Sequence, residues 1–293
     1  MPNALITTLI IGACSLLLVA TTVNKVPPST VVSPPIPETV FLAGEKIPLE
    51  DFKVRENLDQ ELIINTYRHS STILYLKRAS RWFPVIEPIL EKNGIPNDFK
   101  YLAIIESGLT QAVSPAGAKG FWQFMKKTAP EYGLEISPTV DERYHVEKST
   151  QAACLYLKES YEKFGDWALA AASYNMGVSG VTKCLETQGV DRYWDLHLNT
   201  ETGRYVYRML AVKEVLSNPK AYGFQISDED LYFPHEVRKV TLSSNIDSLS
   251  EFALENGSNY RELKELNPWL IKESFIASLG KVYTVLLPKT VTE

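Results

Sequence analysis

Helical periodicity between about residues 58 and 216 is the feature that most constrains how this chain can fold. Over this range apolar residues recur at every third or fourth position, the spacing that places them on one face of an α-helix. The alternation of apolar and polar residues that is typical of a half-buried strand is almost absent. Because helices without strands bury their apolar faces by packing on one another, we predict an all-α domain.

Glycine and proline separate the predicted helices. One long helical segment ends at Gly94, and Pro96 then opens the next helix, with Asn97 and Asp98 able to cap its first turn. Further helical stretches are expected at residues 121–133, 148–165, 166–177, 177–188 and 202–216.

Composition and pattern divide the chain into four parts. Residues 1–23 are apolar, and residues 24–59 are Pro-rich at their start and lack a helical period, so we predict an extended linker there. The helical domain is assigned to residues 60–225. Residues 237–289 run strand, helix, helix, strand, which predicts a small α+β (βααβ) domain after the mainly α one.

The N-terminal segment indicates export. Ala4 to Val23 is uncharged, largely apolar and long enough to cross a bilayer as a helix. A secretory signal peptide is the alternative, although no Lys or Arg precedes the apolar run. Residues 11–14 loosely resemble a lipoprotein cleavage box, but the apolar run continues beyond Cys14. In each case we expect a periplasmic, cell-envelope or membrane-associated protein, with membrane attachment if the segment is retained.

Charge and cysteine content exclude several function classes. The net charge is −5 at pH 7, so the chain lacks the broad basic face of a nucleic-acid-binding protein. The four histidines are scattered and no Cys/His cluster has metal-ligand spacing, so we expect neither a metal nor another cofactor. Cys154 and Cys184 could form a disulfide in an oxidising compartment, or remain two independent thiols.

Glu106 stands in an unusual place for a carboxylate. It directly follows the apolar run Leu102–Ile105, and Gly108 ends the helix two residues later. Partial burial disfavours the charged form of a carboxyl group and raises its pKa, which yields a general acid that keeps its proton near neutral pH. The alternative is an ordinary glutamate at a helix C-terminus whose side chain points into solvent.

Further motifs follow Glu106 and Ser107 along the chain. They are SPAGAKGFWQFM at residues 114–125, SYNMG at residues 173–177 and ETGRYV at residues 201–206. In this order the motifs resemble the catalytic domain of the soluble-type lytic transglycosylases, whose fold is related to goose-type lysozyme. The resemblance covers about residues 60–220. It implies a lysozyme-like, all-helical catalytic domain that acts on the glycan strands of peptidoglycan.

The resemblance implies a role for individual residues. Glu106 matches the single catalytic acid and base of the family. The positions expected to contact the substrate are Ser107, Ser114, Trp122, Gln123, Met125, Tyr174, Asn175, Glu201 and Tyr205. Phe121 and Trp122 depart from the commoner Leu-Met pair, and Ser173 and Met176 replace smaller residues beside the Tyr-Asn pair; we expect these changes to be tolerated.

Each of these positions also has a purely structural alternative. Ser107 would bond back to its own helix, and Gln123 and Met125 would serve core packing. The Tyr-Asn pair would only end a helix, since Asn tolerates the left-handed conformation. Glu201 would cap a helix or form an ion pair that supports the cleft without contacting substrate.

A single acid is chemically sufficient under one condition. Retaining glycosidases normally use two carboxyl groups about 5–5.5 Å apart, and no acid follows Glu106 within twenty residues, although a partner from elsewhere in the chain remains open. A lone acid suffices when the N-acetyl group of the substrate stabilises the cationic centre. Peptidoglycan supplies that group on N-acetylmuramic acid, with a free C6 hydroxyl. We expect Glu106 to protonate the glycosidic oxygen and then to deprotonate that hydroxyl, which attacks C1 and forms a 1,6-anhydro ring.

Two other functions remain open at this stage. A goose-type lysozyme would hydrolyse the same bond with water, and a non-catalytic scaffold would bind peptidoglycan without cleaving it. We expect a monomer whose partner is the glycan strand itself.

The C-terminal module resembles a LysM domain, a type of domain that binds glycans containing N-acetylglucosamine. The resemblance rests on residues 248–270 and on the closing strand at residues 282–289. It is partial, because the usual opening Tyr-x-Val and Gly-Asp-Thr motifs are absent. The alternative is a small domain that packs on the catalytic domain.

Overall fold

The computed structural model describes residues 31–289 of the 293-residue chain. The predicted signal peptide or membrane anchor at residues 1–23 lies outside the described residues, as does the start of the predicted linker. Every element below belongs to one compact unit that begins at Pro34. Among the helices of the described residues, none combines the length and the hydropathy that a bilayer crossing requires.

Helices make up most of the described chain, which confirms the predicted mainly α fold. They are α1 Phe52–Tyr67, α2 His69–Lys92, α3 Lys100–Ser107, α4 Val146–Phe164, α5 Trp167–Met176, α6 Val178–Gln188, α7 Thr200–Ser217, α8 Leu249–Glu255 and α9 Tyr260–Leu266. The strands are β1 Phe41–Leu42, β2 Glu45–Lys46, β3 Val237–Leu242 and β4 Tyr283–Pro288.

Helix α7 organises the helical domain. It contacts α1, α3 and α5, and its buried Val206 belongs to the same hydrophobic core as Leu58 of α1 and Leu102 of α3. The side chain of Asn199 accepts hydrogen bonds from two N–H groups of its first turn and so fixes where the helix begins. Through these contacts α7 holds α3, the helix that carries Glu106.

Helix α3 begins differently from the prediction. Asn97–Phe99 form a 3-10 turn ahead of it, and neither Asn97 nor Asp98 caps its first turn. The Asp98 carboxylate instead accepts hydrogen bonds from the Ala43 N–H (2.8 Å) and from Lys213 Nζ (2.7 Å). The helix ends as expected at Gly108, whose φ of 63° lies in the left-handed region that favours glycine.

Residues 121–133 are not the helix that was predicted. Isolated bridges pair Lys119 with Val113 and with Phe124, so this part of the chain folds back on itself as a loop. Gly120 (φ 78°) and Gln123 (φ 50°) both have left-handed backbone conformations, which a helix cannot include. Only Ala129–Tyr132 form a helical turn, of the 3-10 type. The apolar spacing here reflects a buried loop.

The predicted linker is too long at its C-terminal end. Helix α1 begins at Phe52, with the Asp51 side chain accepting hydrogen bonds from two N–H groups of its first turn. Val40 and Ile47, on either side of the β1–β2 hairpin, are buried in the core of the helical domain. The folded domain therefore includes residues from about 40 onward, because these apolar side chains complete its core.

The C-terminal module has the predicted strand–helix–helix–strand order. Strands β3 and β4 pair antiparallel, with Val240 opposite Val285, and helices α8 and α9 pack on them. The module has its own hydrophobic core, which includes Trp269 and Phe275. One member of that core, Val140, comes from the helical domain.

The two cysteines of the described chain are free thiols. Cys154 is buried in α4, where burial raises the pKa of its thiol to about 12, and Cys184 lies partly exposed on α6. The disulfide alternative is therefore wrong for this structure.

Candidate active site

Glu106 lies in the last turn of α3 and lines a cavity of about 340 Å³. Its side chain is half-buried, because residues 101–104 of the helix are buried in the core while the cavity opens beside its last turn. Helix α2 forms the facing wall with Tyr75 and Arg78. The carboxyl group therefore points into a groove and not into open solvent.

The surroundings of Glu106 favour its protonated form. Burial is the largest influence and raises the pKa of the carboxyl group to about 7. The hydrogen bond donated by the Tyr205 hydroxyl and the positive charge of Arg208 act in the opposite direction, and the charge of Glu201 adds to the rise. A group with this pKa can both donate and accept a proton near neutral pH.

Two tyrosines, the buried Tyr205 and the half-buried Tyr174, lie beside Glu106. The Tyr205 hydroxyl donates to Glu106 Oε1, and the Tyr174 hydroxyl donates to the backbone carbonyl of Trp122 at 2.8 Å. Burial, and next the negative charge of Glu106, hold the pKa of both phenols well above the ordinary value. Both side chains therefore remain hydrogen-bond donors over the whole physiological pH range.

Asn175 and Glu201 meet where α5 ends and α7 begins. Asn175 Nδ2 donates to Glu201 Oε1 at 3.3 Å, and Asn175 Oδ1 accepts from the Thr202 hydroxyl at 2.7 Å. Glu201 is exposed in the first turn of α7. These contacts bring the third and fourth motifs together, and the negative charge of Glu201 contributes to the raised pKa of Glu106.

Three of the residues predicted to contact the substrate form side-chain hydrogen bonds with the backbone of this chain. Ser107 Oγ lies 3.0 Å from the Ala103 carbonyl and 2.9 Å from the Phe121 carbonyl. Gln123 Nε2 donates to the carbonyl oxygens of residues 112 and 120, and Ser114 Oγ accepts from the N–H of residue 118. Hydrogen bonds of this kind shape the loop that borders the site.

Trp122 and Met125 differ sharply in exposure. Trp122 is 0% exposed, and its indole N–H donates to Thr150 Oγ1 at 2.8 Å. The prediction that Trp122 lines the groove is therefore wrong in this structure, since the side chain is fully buried. Its backbone carbonyl accepts the Tyr174 hydrogen bond, and its ring packs edge-on against the Tyr174 ring at 6.4 Å between centroids. Met125 is 42% exposed and is free to contact a ligand.

A buried ion pair, Arg143 with Asp141, supports the loop at residues 112–125. Arg143 donates to Asp141 at 2.7 Å and also to the backbone carbonyl of Phe124 at 3.3 Å. Gly120 packs so tightly on this segment that a Cβ atom there would lie 1.9 Å from the Arg143 carbonyl oxygen. The position of Gln123 therefore depends on the segment around Arg143.

Sequence reasoning missed the contributions of α2 and of Arg208. Ser71, Tyr75 and Arg78 follow the i, i+4, i+7 spacing of one helix face, which the sequence does display. Nothing in the sequence says which helix that face meets. Among the described residues, no group of three His, Cys, Asp or Glu side chains is placed to hold a metal ion.

Comparison with known proteins identifies two domains. Residues 84–196 match the family model of the transglycosylase SLT domain, and residues 238–291 match that of the soluble lytic transglycosylase C-terminal LysM-like domain. The resemblance found in the motifs is thereby confirmed: the chain contains an SLT transglycosylase domain and a LysM-like C-terminal domain.

Two similar proteins are both named membrane-bound lytic murein transglycosylases. The chain is 32% identical over 246 residues to membrane-bound lytic murein transglycosylase D of Escherichia coli K12, an alignment that covers 82% of this chain and 52% of that protein. It is 30% identical over 125 residues to membrane-bound lytic murein transglycosylase F of Cronobacter sakazakii, covering 39% of this chain and 23% of that protein. This chain thus spans about half the length of its E. coli relative.

Among solved structures, an inactive mutant of lytic transglycosylase Slt from Pseudomonas aeruginosa is similar at 20% identity and a TM-score of 0.37. The match covers 52% of this chain and 26% of that one.

Proposed function

We propose that this chain is a peptidoglycan lytic transglycosylase, a lyase that cleaves the β-1,4 bond between N-acetylmuramic acid and N-acetylglucosamine without water. The observation that carries the proposal is Glu106: a carboxyl group with a pKa of about 7, hydrogen-bonded to a buried tyrosine, in a groove of an SLT domain. A group that ionises near neutral pH suits a reaction in which one residue must give up a proton and take it back.

In the first step the protonated Glu106 donates its proton to the glycosidic oxygen, and the bond to C1 of N-acetylmuramic acid breaks. Positive charge develops at C1, where the N-acetyl group of the substrate itself stabilises it. Glu106 is left as a carboxylate. The Tyr205 hydroxyl and the positive charge of Arg208 both favour that form, so they lower the free energy of the intermediate.

In the second step the Glu106 carboxylate removes the proton of the C6 hydroxyl, whose oxygen attacks C1 and closes the 1,6-anhydro ring. Glu106 is protonated again, and no water enters the product. The proposed contacts to the sugar and its acetamido group are Ser114, Tyr174 and Asn175, with Gln123 and Met125 along the groove. We place the enzyme in the cell envelope, exported and monomeric.

Glu106→Gln tests the assignment most simply. Gln has the same shape and its amide oxygen still accepts the Tyr205 hydrogen bond, but its N–H groups are too weakly acidic to protonate the leaving group. We expect turnover of isolated cell-wall sacculi to fall about a hundredfold to ten-thousandfold, the contribution of general acid–base catalysis, while binding of the glycan is retained.

Glu201→Gln is the matched control, because it makes the same change at the other carboxylate of the site. In the lyase mechanism its activity should fall by about tenfold or less, since Glu201 transfers no proton there and acts on Glu106 through its charge. Substantial turnover by Glu106→Gln would refute the role of Glu106.

Hydrolysis of the same bond, as in goose-type lysozyme, is the second candidate. The proximity of Glu201 favours it, because a second carboxylate could activate a water molecule. The two reactions differ in their products, since hydrolysis adds one water that the lyase reaction does not.

A further inference from the structure

Arg78 lies in the same cavity as Glu106. The residues that line this cavity come from α2, from α3 and from the segment directly after α3. Arg78 is the one basic residue in this set, and Glu106 is the one acid. When Glu106 is protonated, the guanidinium of Arg78 is the remaining full charge on the wall.

The guanidinium is held in position by its surroundings. Arg78 Nη1 donates to the Gly108 carbonyl at 3.0 Å, which ties the group to the turn just after Glu106. The Tyr75 ring packs on the same turn, and a Cβ atom at Gly108 would lie 3.0 Å from Tyr75 Cε1 and 3.5 Å from Arg78 Nη1. Little side-chain freedom would therefore be lost when a ligand binds to Arg78.

Within residues 31–289, Arg78 has no carboxylate partner at ion-pair distance. Two arginines of the helical domain do have a buried carboxylate partner, namely Arg143 with Asp141 and Arg204 with Glu61. A guanidinium offers five N–H donors in a planar fork that fits a carboxylate with two parallel hydrogen bonds. One donor of Arg78 reaches the Gly108 carbonyl, and others remain for a ligand.

We propose that Arg78 binds a carboxylate of the substrate beside the sugar at Glu106 and so selects acidic glycan strands over neutral amino-sugar polymers. This inference rests on the proposed function. The chain carries a net charge of −5 and repels anions overall, so a positioned cation is needed to attract one. The carboxylate is either the lactyl group of a peptide-free muramic acid or a carboxylate of the stem peptide.

Binding measurements on the Glu106→Gln chain test this proposal without turnover. Three ligands of equal glycan length are titrated by calorimetry: an N-acetylglucosamine tetramer, a peptide-free tetrasaccharide containing muramic acid, and that tetrasaccharide with stem peptides. Adding Arg78→Gln should weaken binding of an acidic ligand about tenfold or more, the effect of losing a charge-assisted pair. Binding of the neutral tetramer should change less than about twofold.

Arg81→Gln is the matched control. Arg81 lies one turn further along α2, where it donates to the Phe233 carbonyl at 2.9 Å, and it does not line the Glu106 cavity. The substitution removes the same charge, and binding of all three ligands should stay unchanged. Arg78→Lys should restore part of the affinity for acidic ligands, which a loss of folding would not allow.

The pattern across ligands identifies the source of the carboxylate. Loss for the peptide-free ligand alone indicates the lactyl carboxylate, because the stem peptide converts that group to an amide. Loss for the peptide-bearing ligand alone indicates a carboxylate of the stem, and loss for both indicates that Arg78 binds either carboxylate. Equal loss for neutral and acidic ligands, no loss for any, or no binding of acidic ligands by the parent chain would overturn the proposal. If the wild-type chain does not cleave sacculi, the proposed function is refuted. The proposal for Arg78 is tested separately, by the binding measurements.

Discussion

At the scale of single residues, the folded chain and the unfolded chain bind the Glu106 proton with different strength. The pKa of Glu106 is raised from 4.5 to about 7 by burial in the folded state. Between these two pH values the folded state holds more protons than the unfolded state, so its free energy of unfolding falls as the pH rises. The full loss is about 3 kcal/mol and is complete above pH 7.

This linkage predicts a pH-dependent gain in stability for Glu106→Gln. The amide does not ionise, so the variant should unfold with nearly the wild-type free energy at pH 4 and with about 2–3 kcal/mol more at pH 8. Urea denaturation at the two pH values measures the difference. Glu131→Gln, at an exposed position, is the control and should show no comparable change. A stability gap between Glu106→Gln and wild type that does not grow with pH would contradict the account of Glu106.

Individual site residues differed in how far the sequence revealed them. The apolar run before Glu106 predicted a desolvated acid from local sequence, because a helix whose preceding turn is buried in the core carries its last turn close to that core. Tyr205 and Asn175 were recognisable only by motif, since nothing near them in sequence reports the distance to Glu106. Arg78 was missed because its role depends on how α2 packs against α3, which is a tertiary property.

At the scale of elements, the loop at residues 112–125 depends on its contact with Arg143. Gly120 has a left-handed conformation and leaves no room for a side chain. Gly117 (φ 88°) has a similar conformation, but a Cβ atom there would have no other atom within 4 Å. The two glycines thus separate the cost of backbone conformation from the cost of steric overlap.

Replacing each glycine with alanine tests this contact. Gly117→Ala should cost about 1–2 kcal/mol of unfolding free energy, the penalty for an L-residue in the left-handed region. Gly120→Ala should cost roughly 3 kcal/mol or more, because the backbone must also move away from the Arg143 carbonyl. It should lower turnover of sacculi as well, since Gln123 moves with the loop. Equal losses of unfolding free energy for the two variants would contradict this prediction, because the overlap between the new Cβ atom at position 120 and the Arg143 carbonyl would then cost nothing.

The structure of this loop explains why a helix was wrongly predicted at residues 121–133. Its apolar residues are spaced as in a helix, but Phe121, Trp122 and Phe124 are buried in a compact loop, where Phe121 packs on Trp82 while Trp122 and Phe124 pack on Tyr174. Gly120 was visible in the sequence, whereas the left-handed conformation of Gln123 was not, because glutamine rarely adopts it. The longer helices were predictable, since their periodicity extends over several turns.

At the scale of the whole molecule, the LysM-like module is joined to the helical domain by backbone and core contacts. The Ile271 N–H donates to the Thr139 carbonyl (3.0 Å), and the Asp141 N–H donates to the Trp269 carbonyl (2.9 Å). The Glu135 carboxylate accepts hydrogen bonds from Ser278, Lys281 and Tyr283 of the module. The segment at residues 135–143, which includes Arg143, therefore contacts both the loop of the active site and the LysM-like module.

Val140→Ala should therefore destabilise both domains together. Val140 is fully buried in the core of the module, and losing its two methyl groups should cost about 2 kcal/mol. Because the segment around Val140 contacts both domains, we expect them to unfold in a single transition. Tryptophan fluorescence and circular dichroism should both show that transition shifted to lower stability by the same amount. Val282→Ala removes the same atoms at a position that is 65% exposed, and should cost less than about 0.5 kcal/mol. Two separate transitions, only one of them shifted, would contradict this coupling.

The order of elements in the module was predictable from the sequence, but its attachment was not. Strand and helix patterns at residues 237–289 are local, so they are visible without the fold. Val140 looks like any apolar residue of the helical domain, and only the structure shows that it completes the core of the other domain.

The most direct test of the mechanism is the fate of water during cleavage. Purified chain is incubated with peptidoglycan sacculi in water enriched in heavy oxygen, and the released muropeptides are analysed by mass spectrometry. The account predicts 1,6-anhydro products that carry no heavy oxygen and are lighter by one water than hydrolysis products, and their disappearance with Glu106→Gln. Labelled products with a free reducing end would contradict it, because water and not the C6 hydroxyl would then have attacked C1.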